Sequence, residues 1–456
     1  MTFCTAEVLS ATQGRLVAGA GQAWYHSVTC DSRTAFAGSL FFALKGARTD
    51  GHQFVADAIA RGARGAAVQY LPSGPLGQAD IIVVEDPLSA LGALGAWCLD
   101  KARVARVAVT GSAGKTTTKD MIACVLGTRS RVRATPENYN TEIGVPLTAC
   151  ALSPDQDTFV AEMAMRGPDQ IAYLSRLVRP QVAVITNVGR SHVGLLGSPE
   201  AIREAKLEIC EGLQGGVLWL PAVDEGLLAS ARRHGANIRT FGCHHQADVS
   251  GSEIALQPDG STHLRVRAGE QQAPLRLQFP GRHHAANALA AIGVGMTLGV
   301  SLYEACHALA QMSPAPHRGQ VLKGPNGSHI LDDTHNANPE AVLAALRLAA
   351  DWPGARRRLA LLADMLELGP LSEQAHREVG ESAARLGLDW LGAVGDFASA
   401  TLEGAARAGL SRTQAFRTKE EALAFLKSAL QPGDVLLVKG SRAMQMEAVT
   451  LGLAAD

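Results

Sequence analysis

The residue types and spacing most capable of chemistry fall in 107–118, Val-Ala-Val-Thr-Gly-Ser-Ala-Gly-Lys-Thr-Thr-Thr. The β-branched run 107–109 reads as a buried strand, and Gly111, Ser112, Ala113 and Gly114 as a tight turn. A helix follows, with Met121, Ile122 and Val125 at helical spacing. A helix N-terminus carries unpaired N–H groups and partial positive charge, which suits phosphate. Lys115 adds a mobile cation for terminal phosphates, and the Thr116 hydroxyl, with Thr117 beside it, is placed to ligate Mg²⁺. The strict Walker loop would put glycine at the position of Val109; the first glycine here is Gly111, so the loop is two residues tighter. A solvated lysine at an ordinary strand–helix turn is the bland alternative. Strand, glycines, lysine and three threonines together weigh against it, and the segment is expected to hold a nucleoside triphosphate.

Further chemistry lies at the ends of two apolar runs. The run 158–163 carries Glu162 near its end, and 182–187 ends in Asn187, followed by Ser191 and His192. Carboxylate, amide and imidazole at strand C-termini of an α/β sheet sit where ligands bind. A helix capped by Ser198-Pro199 runs toward Gly212 with Ile202, Ala205 and Ile209 as its apolar stripe. Lys206 falls inside that stripe and must snorkel, pair or be chemically altered.

The elements that position these groups come from a chain of 456 residues, enough for two to four domains. Apolar residues make up 47% and charged residues 19%, the balance of an ordinary globular protein, and a net charge of −1 supplies no long-range field for nucleic acid or anionic lipid. The eight cysteines are scattered without a Cys-x-x-Cys pair, which argues against a zinc ribbon or a disulfide scaffold. No basic segment followed by an apolar core opens the chain, and no apolar run reaches membrane-spanning length, so a cytoplasmic protein without membrane insertion is expected.

Three α/β blocks are expected, at 1–85, 86–312 and 313–456. The first alternates strands at 40–44, 66–68 and 81–84 with a helix over 51–61. Its loops hold Asp31-Ser32-Arg33 and the stretch from Lys45 through Thr49 to His52. These residues suit ligand contact beside strand ends and equally suit ordinary turns, so both readings stand. The second block contains the phosphate loop and a polar segment 136–146, read as a surface or cleft loop with Asn140 and Thr141 in it. It continues through a β excursion over 240–280 to an alanine-rich helix opened by His283 and His284, read as helix-start polar groups, with Asn287 available to a ligand. Pro314 to Gly319 is a composition break. Beyond it, strands at 330–331, 359–362, 390–394 and 435–438 alternate with helices at 338–350, 372–386, 396–408 and 419–430, which predicts a doubly wound parallel sheet.

With these residues assembled, the chain resembles the Mur ligases over essentially its whole length. The stretch from Thr110 to Thr117 looks like their phosphate loop, shortened spacing included. Four further stretches, NTEIGVP from Asn140, DDTHNANP from Asp332, DMLELG from Asp364 and KGSRAMQME from Lys439, resemble the branch that handles D-alanyl-D-alanine. The family usually carries tyrosine at the position of His335 and asparagine at that of His284. The resemblance implies a small N-terminal UDP-binding domain, a central P-loop-type mononucleotide-binding domain and a C-terminal Rossmann-like domain. It implies an ATP- and Mg²⁺-dependent ligase, monomeric and without nucleic-acid partners, that joins D-alanyl-D-alanine to a UDP-N-acetylmuramoyl-tripeptide through an acyl phosphate. Lys115, His192 and Lys206 are then catalytic, and the loop from Gly111 to Thr117 holds ATP with Asn287, Arg318 and Asp333. Thr116, Glu162, His192 and Lys206, the last as a carbamate, are implied to hold metal. Ser32, Arg33, Lys45, Thr49, Asn140, Thr141, Asn336, Asn338, Ser441 and Arg442 are implied to contact substrate. A sister ligase, a P-loop GTPase or kinase, and a nucleotide-gated binding protein are the rivals. Phosphate release that depends on the amine separates them.

Overall fold

The computed structural model describes residues 1–46, 49–189, 198–243 and 246–454. It divides into two compact units, one of residues 1–110, 129–183 and 207–218, the other of 111–128, 184–206 and 219–456. In the first unit, strands β1 (Arg15–Ala18), β2 (Ser27–Thr29), β3 (Ser39–Phe42), β4 (Gly65–Val68) and β5 (Asp80–Val83) form a sheet in the order β1-β5-β4-β3-β2. Only β1 runs antiparallel to its neighbour. Period-two alternation puts Leu40, Phe42, Ala67 and Ile82 in one apolar core and Phe41, Ala66, Val68 and Ile81 in another, so both faces are covered. Helix α1 (Val55–Ala60) packs into the second core, and α2 (Pro87–Ala102) contributes Leu91, Leu94 and Cys98 to the first. The helix expected over 51–61 is in fact a 3₁₀ turn, Gly51–Phe54, followed by α1. The Asp50 carboxylate accepts the His52 N–H at 3.0 Å and winds that first turn tightly.

The same unit holds three parallel strands in the order β7 (Val132–Ala134), β8 (Thr158–Glu162) and β6 (Ala105–Thr110), with Glu162 opposite Val109. The chain leaves β6 directly into the phosphate loop and then α3 (Lys115–Leu126). Residues 144–146, expected in a polar loop, instead begin the buried helix α4 (Gly144–Cys150). Pro146 packs so closely on Gly95 that a Cβ there would lie 2.6 Å from it, a close approach the sequence pattern did not reveal.

Strand β9 (Val182–Ile185) brings the chain into the second unit at Thr186 and Asn187, and α5 (Pro199–Leu207) starts with Ser198 Oγ accepting the Ala201 N–H at 3.1 Å. The β excursion is an antiparallel meander of β10 (Val249–Leu256), β11 (Thr262–Ala268) and β12 (Gln271–Leu277), followed by α6 (Arg282–Thr297). The C-terminal part of this unit carries a six-stranded sheet. Its strands are β13 (Gln320–Lys323), β14 (His329–Asp332), β15 (Arg357–Ala363), β16 (Trp390–Val394), β17 (Thr413–Phe416) and β18 (Asp434–Lys439). Their order is β13-β14-β18-β15-β16-β17, parallel except for β13. Helices α7 (Pro339–Ala350), α8 (Ser372–Arg385) and α9 (Ala398–Arg407) supply one core. Helices α10 (Lys419–Ala429) and α11 (Glu447–Ala454) supply the other, which makes the sheet doubly wound.

Candidate active site

The phosphate loop is shaped by two glycines and by the partners of its carbonyls. Gly111 has φ +150°, and a Cβ there would lie 1.9 Å from Thr186 Oγ1. Gly114 has φ +78°, with the Asn287 carboxamide 2.9 Å from where its Cβ would stand. The Gly111 carbonyl accepts from Lys115 Nζ at 2.9 Å. The Ser112 carbonyl accepts from Asn338 Nδ2 at 3.3 Å. The Ala113 carbonyl accepts from Thr186 Oγ1 at 2.6 Å and from Asn187 Nδ2 at 3.0 Å, while Asn187 Oδ1 accepts the Ala113 N–H at 2.9 Å. Ser112 is held further, by N–H donation to the Asn187 carbonyl at 3.0 Å and by its Oγ accepting from Gly189 N–H at 2.9 Å. Carbonyls tied down in succession leave the amides at the start of α3 for an anion. Thr116 and Thr117 lie half-buried in the first turn of α3, and Asn287 one turn into α6.

A second constellation gathers at the C-terminal ends of β14, β15 and β18, where open α/β sheets bind ligands. Buried Lys439 donates to the Asp333 carboxylate, to the Asp333 carbonyl at 3.2 Å and to the Asn336 carbonyl at 2.9 Å. Ser441 N–H donates to the Asp364 carbonyl at 3.1 Å, and Ser441 Oγ accepts from Leu366 N–H at 2.8 Å. The three C-terminal motifs are thereby stitched together, while Arg442 lies exposed and paired with Glu447 at 2.8 Å. Arg318 donates to His335 Nε2 at 3.0 Å. The neighbouring His317 donates from Nδ1 to buried Asp332 at 2.8 Å. His283 and His284, dismissed above as helix-start groups, border this cluster with ring centroids 4.1 Å apart. Burial pushes the His283 imidazole down to about 4 against the pull of Asp333. Burial, then His283 and Lys439, push His284 well below the usual range.

In the first unit, Glu162 is 3% exposed and accepts from Asn140 Nδ2 at 2.8 Å, while its N–H donates to Thr135 Oγ1 at 2.9 Å. The Thr141 carbonyl accepts from Val145 N–H at 3.0 Å as α4 begins. Ser32 is buried beside Asp57, whose carboxyl is held below its ordinary value by the Ser32 side chain and by Arg61. Exposed Arg33 pairs with Asp31 at 2.7 Å and holds it at about 2. Lys45 and Thr49 are exposed in the turn closed by Gly46 N–H donating to the Thr49 carbonyl at 2.9 Å. In the other unit, Lys206 is 1% exposed on the last turn of α5, as its stripe position implied. His192 lies outside the described residues.

Thr186, His317 and Lys439 carried no expected role, and Asn187, expected as a strand-end ligand group, instead braces the phosphate loop. The signal for Asn187 was its place at a strand end beside a phosphate loop; Lys439 opened a motif whose later residues drew attention first.

A glycine loop ordered at a helix start beside a doubly wound sheet is the architecture of a phosphate-binding α/β protein, and comparison with known proteins gives its family. Residues 24–113 match the model described as Mur ligase family, catalytic domain. Residues 109–295 match the Mur ligase middle domain, and 317–442 the Mur ligase, glutamate ligase domain. The chain belongs to the Mur ligase family and has its three-domain α/β architecture. It is 36% identical to UDP-N-acetylmuramoyl-tripeptide–D-alanyl-D-alanine ligase of Bacillus subtilis, over 94% of this chain and 93% of that one. Crystal structures of MurF from Acinetobacter baumannii (33% identity, TM-score 0.89, covering 100% of this chain and 99% of that one) and of MurF ligase from Thermotoga maritima in complex with ADP (29%, 0.84, 94% and 97%) share its fold.

Proposed function

We propose that the chain is an ATP-dependent amide ligase that joins D-alanyl-D-alanine to a UDP-N-acetylmuramoyl-tripeptide, making a peptidoglycan precursor in the cytoplasm as a monomer. The observation that carries this reading is the phosphate loop with three successive carbonyls tied down, in a chain alike along nearly its whole length to ligases of that specificity. The carboxylate of the tripeptide attacks the γ-phosphorus, ADP leaves, and an acyl phosphate forms. The dipeptide amine then adds to the acyl carbon, and phosphate and a proton leave. Such transfers need charge neutralised and reactants aligned. Lys115 and the amides from Gly111 to Thr117 do the first, while Asn287, Arg318 and Asp333 orient the nucleotide.

The donors suit magnesium, which takes hard oxygens and commonly one or two carboxylates beside phosphates and water. Among the described residues only Oε1 of Glu162 has a hydrogen-bonding partner, so Oε2 remains for a cation. Thr116 and Glu162 would hold one ion, and His192 with Lys206 a second. Bound there, Mg²⁺ supplies charge neutralisation on the phosphates. Lys206, buried on its helix, is assigned as a carbamate: its amine nitrogen adds to CO₂ and loses a proton, which makes the side chain an oxygen donor. Ser32, Arg33, Lys45 and Thr49 are assigned to the UDP moiety, and Asn140, Thr141, Asn336, Ser441 and Arg442 to the peptide side. Divisions near 85 and 312 are proposed to separate the three domains.

Phosphate release measured with UDP-N-acetylmuramoyl-tripeptide, with and without D-alanyl-D-alanine, tests the reading. Release together with a UDP-linked pentapeptide, only when both are present, is expected. Release independent of the dipeptide, or a single amino acid accepted in its place, would overturn it.

A further inference from the structure

Asn338 was expected among the substrate contacts, and its bonds point elsewhere. Its Oδ1 accepts the Ala341 N–H at 2.9 Å and caps α7, whose first residue is Pro339. Its Nδ2 donates to the Ser112 carbonyl of the phosphate loop, 226 positions away in the chain. The planar carboxamide joins the two tasks, because fixing Oδ1 in the cap also fixes the direction in which Nδ2 points. Of the side chains favoured at a helix N-cap, only asparagine offers a separate acceptor and donor. The same helix turn approaches the loop a second time. Gly189, whose N–H supports Ser112 Oγ, lies so near Glu340 that a Cβ on it would be 2.2 Å from Glu340 Cγ. Of the three bound loop carbonyls, those of Gly111 and Ala113 are held from within the loop or from the segment after β9; only that of Ser112 is held from the C-terminal sheet's own helix.

We propose that Asn338 is a positioning residue for ATP, coupling α7 to the phosphate loop by holding the Ser112 carbonyl away from the triphosphate. This rests on the loop being the ATP site, as the ligase reading has it. Serine caps helices as well as asparagine does, but its single oxygen stops short of the position from which Nδ2 donates. N338S therefore separates the two tasks, and N338A removes both.

The dissociation constant of ATP, by calorimetry, and the thermal midpoint are measured for both variants and the unaltered chain, along with KM values for ATP and UDP-peptide. Expected is an ATP dissociation constant and KM raised about three- to tenfold in both variants, the effect of one lost net hydrogen bond. The thermal midpoint should fall only in N338A, and KM for UDP-peptide should stay unchanged. N338S binding ATP as the unaltered chain does would make Asn338 a helix cap alone and overturn the proposal. An equal rise in KM for UDP-peptide would overturn it as well, by making Asn338 a substrate contact. Because ATP binding is read directly, an unaltered chain that binds ATP yet ligates nothing would count against the ligase reading and leave this one standing.

Discussion

Asn187→Ala is the sharpest probe of how the phosphate loop is held. The side chain makes two bonds to one residue, accepting the Ala113 N–H at 2.9 Å and donating to the Ala113 carbonyl at 3.0 Å. Truncation removes both. The carbonyl keeps Thr186 Oγ1 at 2.6 Å, so it is not orphaned, and Ala113 is half-buried, so water can reach its N–H. Without a full desolvation penalty, two net hydrogen bonds cost about 1–2 kcal/mol. That energy is spent on preorganising the loop, so it should appear as a rise of about 5- to 30-fold in KM for ATP. The KM for UDP-peptide should not move. Asn187→Asp keeps the acceptor but sets a second oxygen opposite the Ala113 carbonyl and adds a negative charge beside the phosphates. Its effect should be larger and should shrink as salt is raised. Steady-state phosphate release across ATP concentrations reads both variants, with circular dichroism to check the fold. An Asn187→Ala protein that folds normally and keeps the wild-type KM for ATP would refute this account of the loop.

Lys115→Ala should lose at least about a hundredfold in turnover while its thermal midpoint moves only a few degrees. The bond to the Gly111 carbonyl is worth about 1 kcal/mol, and a calorimetric scan beside the activity assay checks the stability. Lys206→Ala should be inactive yet partly rescued by acetate, and Lys206→Arg, which keeps charge and stem but cannot form a carbamate, should stay inactive; full activity in the arginine variant would remove the carbamate from the mechanism. Stability should fall as pH drops from 6.5 toward 4. The folded state holds His283 at about 4 and His284 well below the usual range, so the unfolded chain takes up protons first and the stability present above 6.5 is lost by about 1–3 kcal/mol. Urea midpoints at pH 7.5, 6 and 5 should show that loss in the native chain and a flatter profile in a His283→Gln, His284→Asn double variant.

What could be read from the sequence was whatever a short stretch encodes by itself. Gly111 and Gly114 announced the loop because their backbone geometry excludes other residues, and the helix after Lys115 followed from local spacing. Lys206 announced its burial because one turn of helix sets its neighbours. The doubly wound C-terminal sheet was legible for the same reason, since β14, β15, β16 and β18 are continuous apolar runs separated by periodic helices. The four-residue strands β1, β13 and β17 were not, because each is only partly buried and pairs at a sheet edge, which leaves little apolar signature.

The features that set the site were illegible for a different reason: they are bonds between side chains and distant backbone. Nothing near Asn187 says that its amide will meet Ala113, 74 positions earlier, and nothing near Asn338 says that it will meet Ser112. Both look like ordinary polar residues at an element's end, and asparagine at a helix start is accounted for by capping alone. The motif therefore identifies the loop's chemistry, while the direction of its amides depends on donors supplied by the segment after β9 and by α7. A loop of identical sequence without those donors would keep Lys115 and its glycines but would have to order its carbonyls at the moment ATP binds, at the expense of affinity.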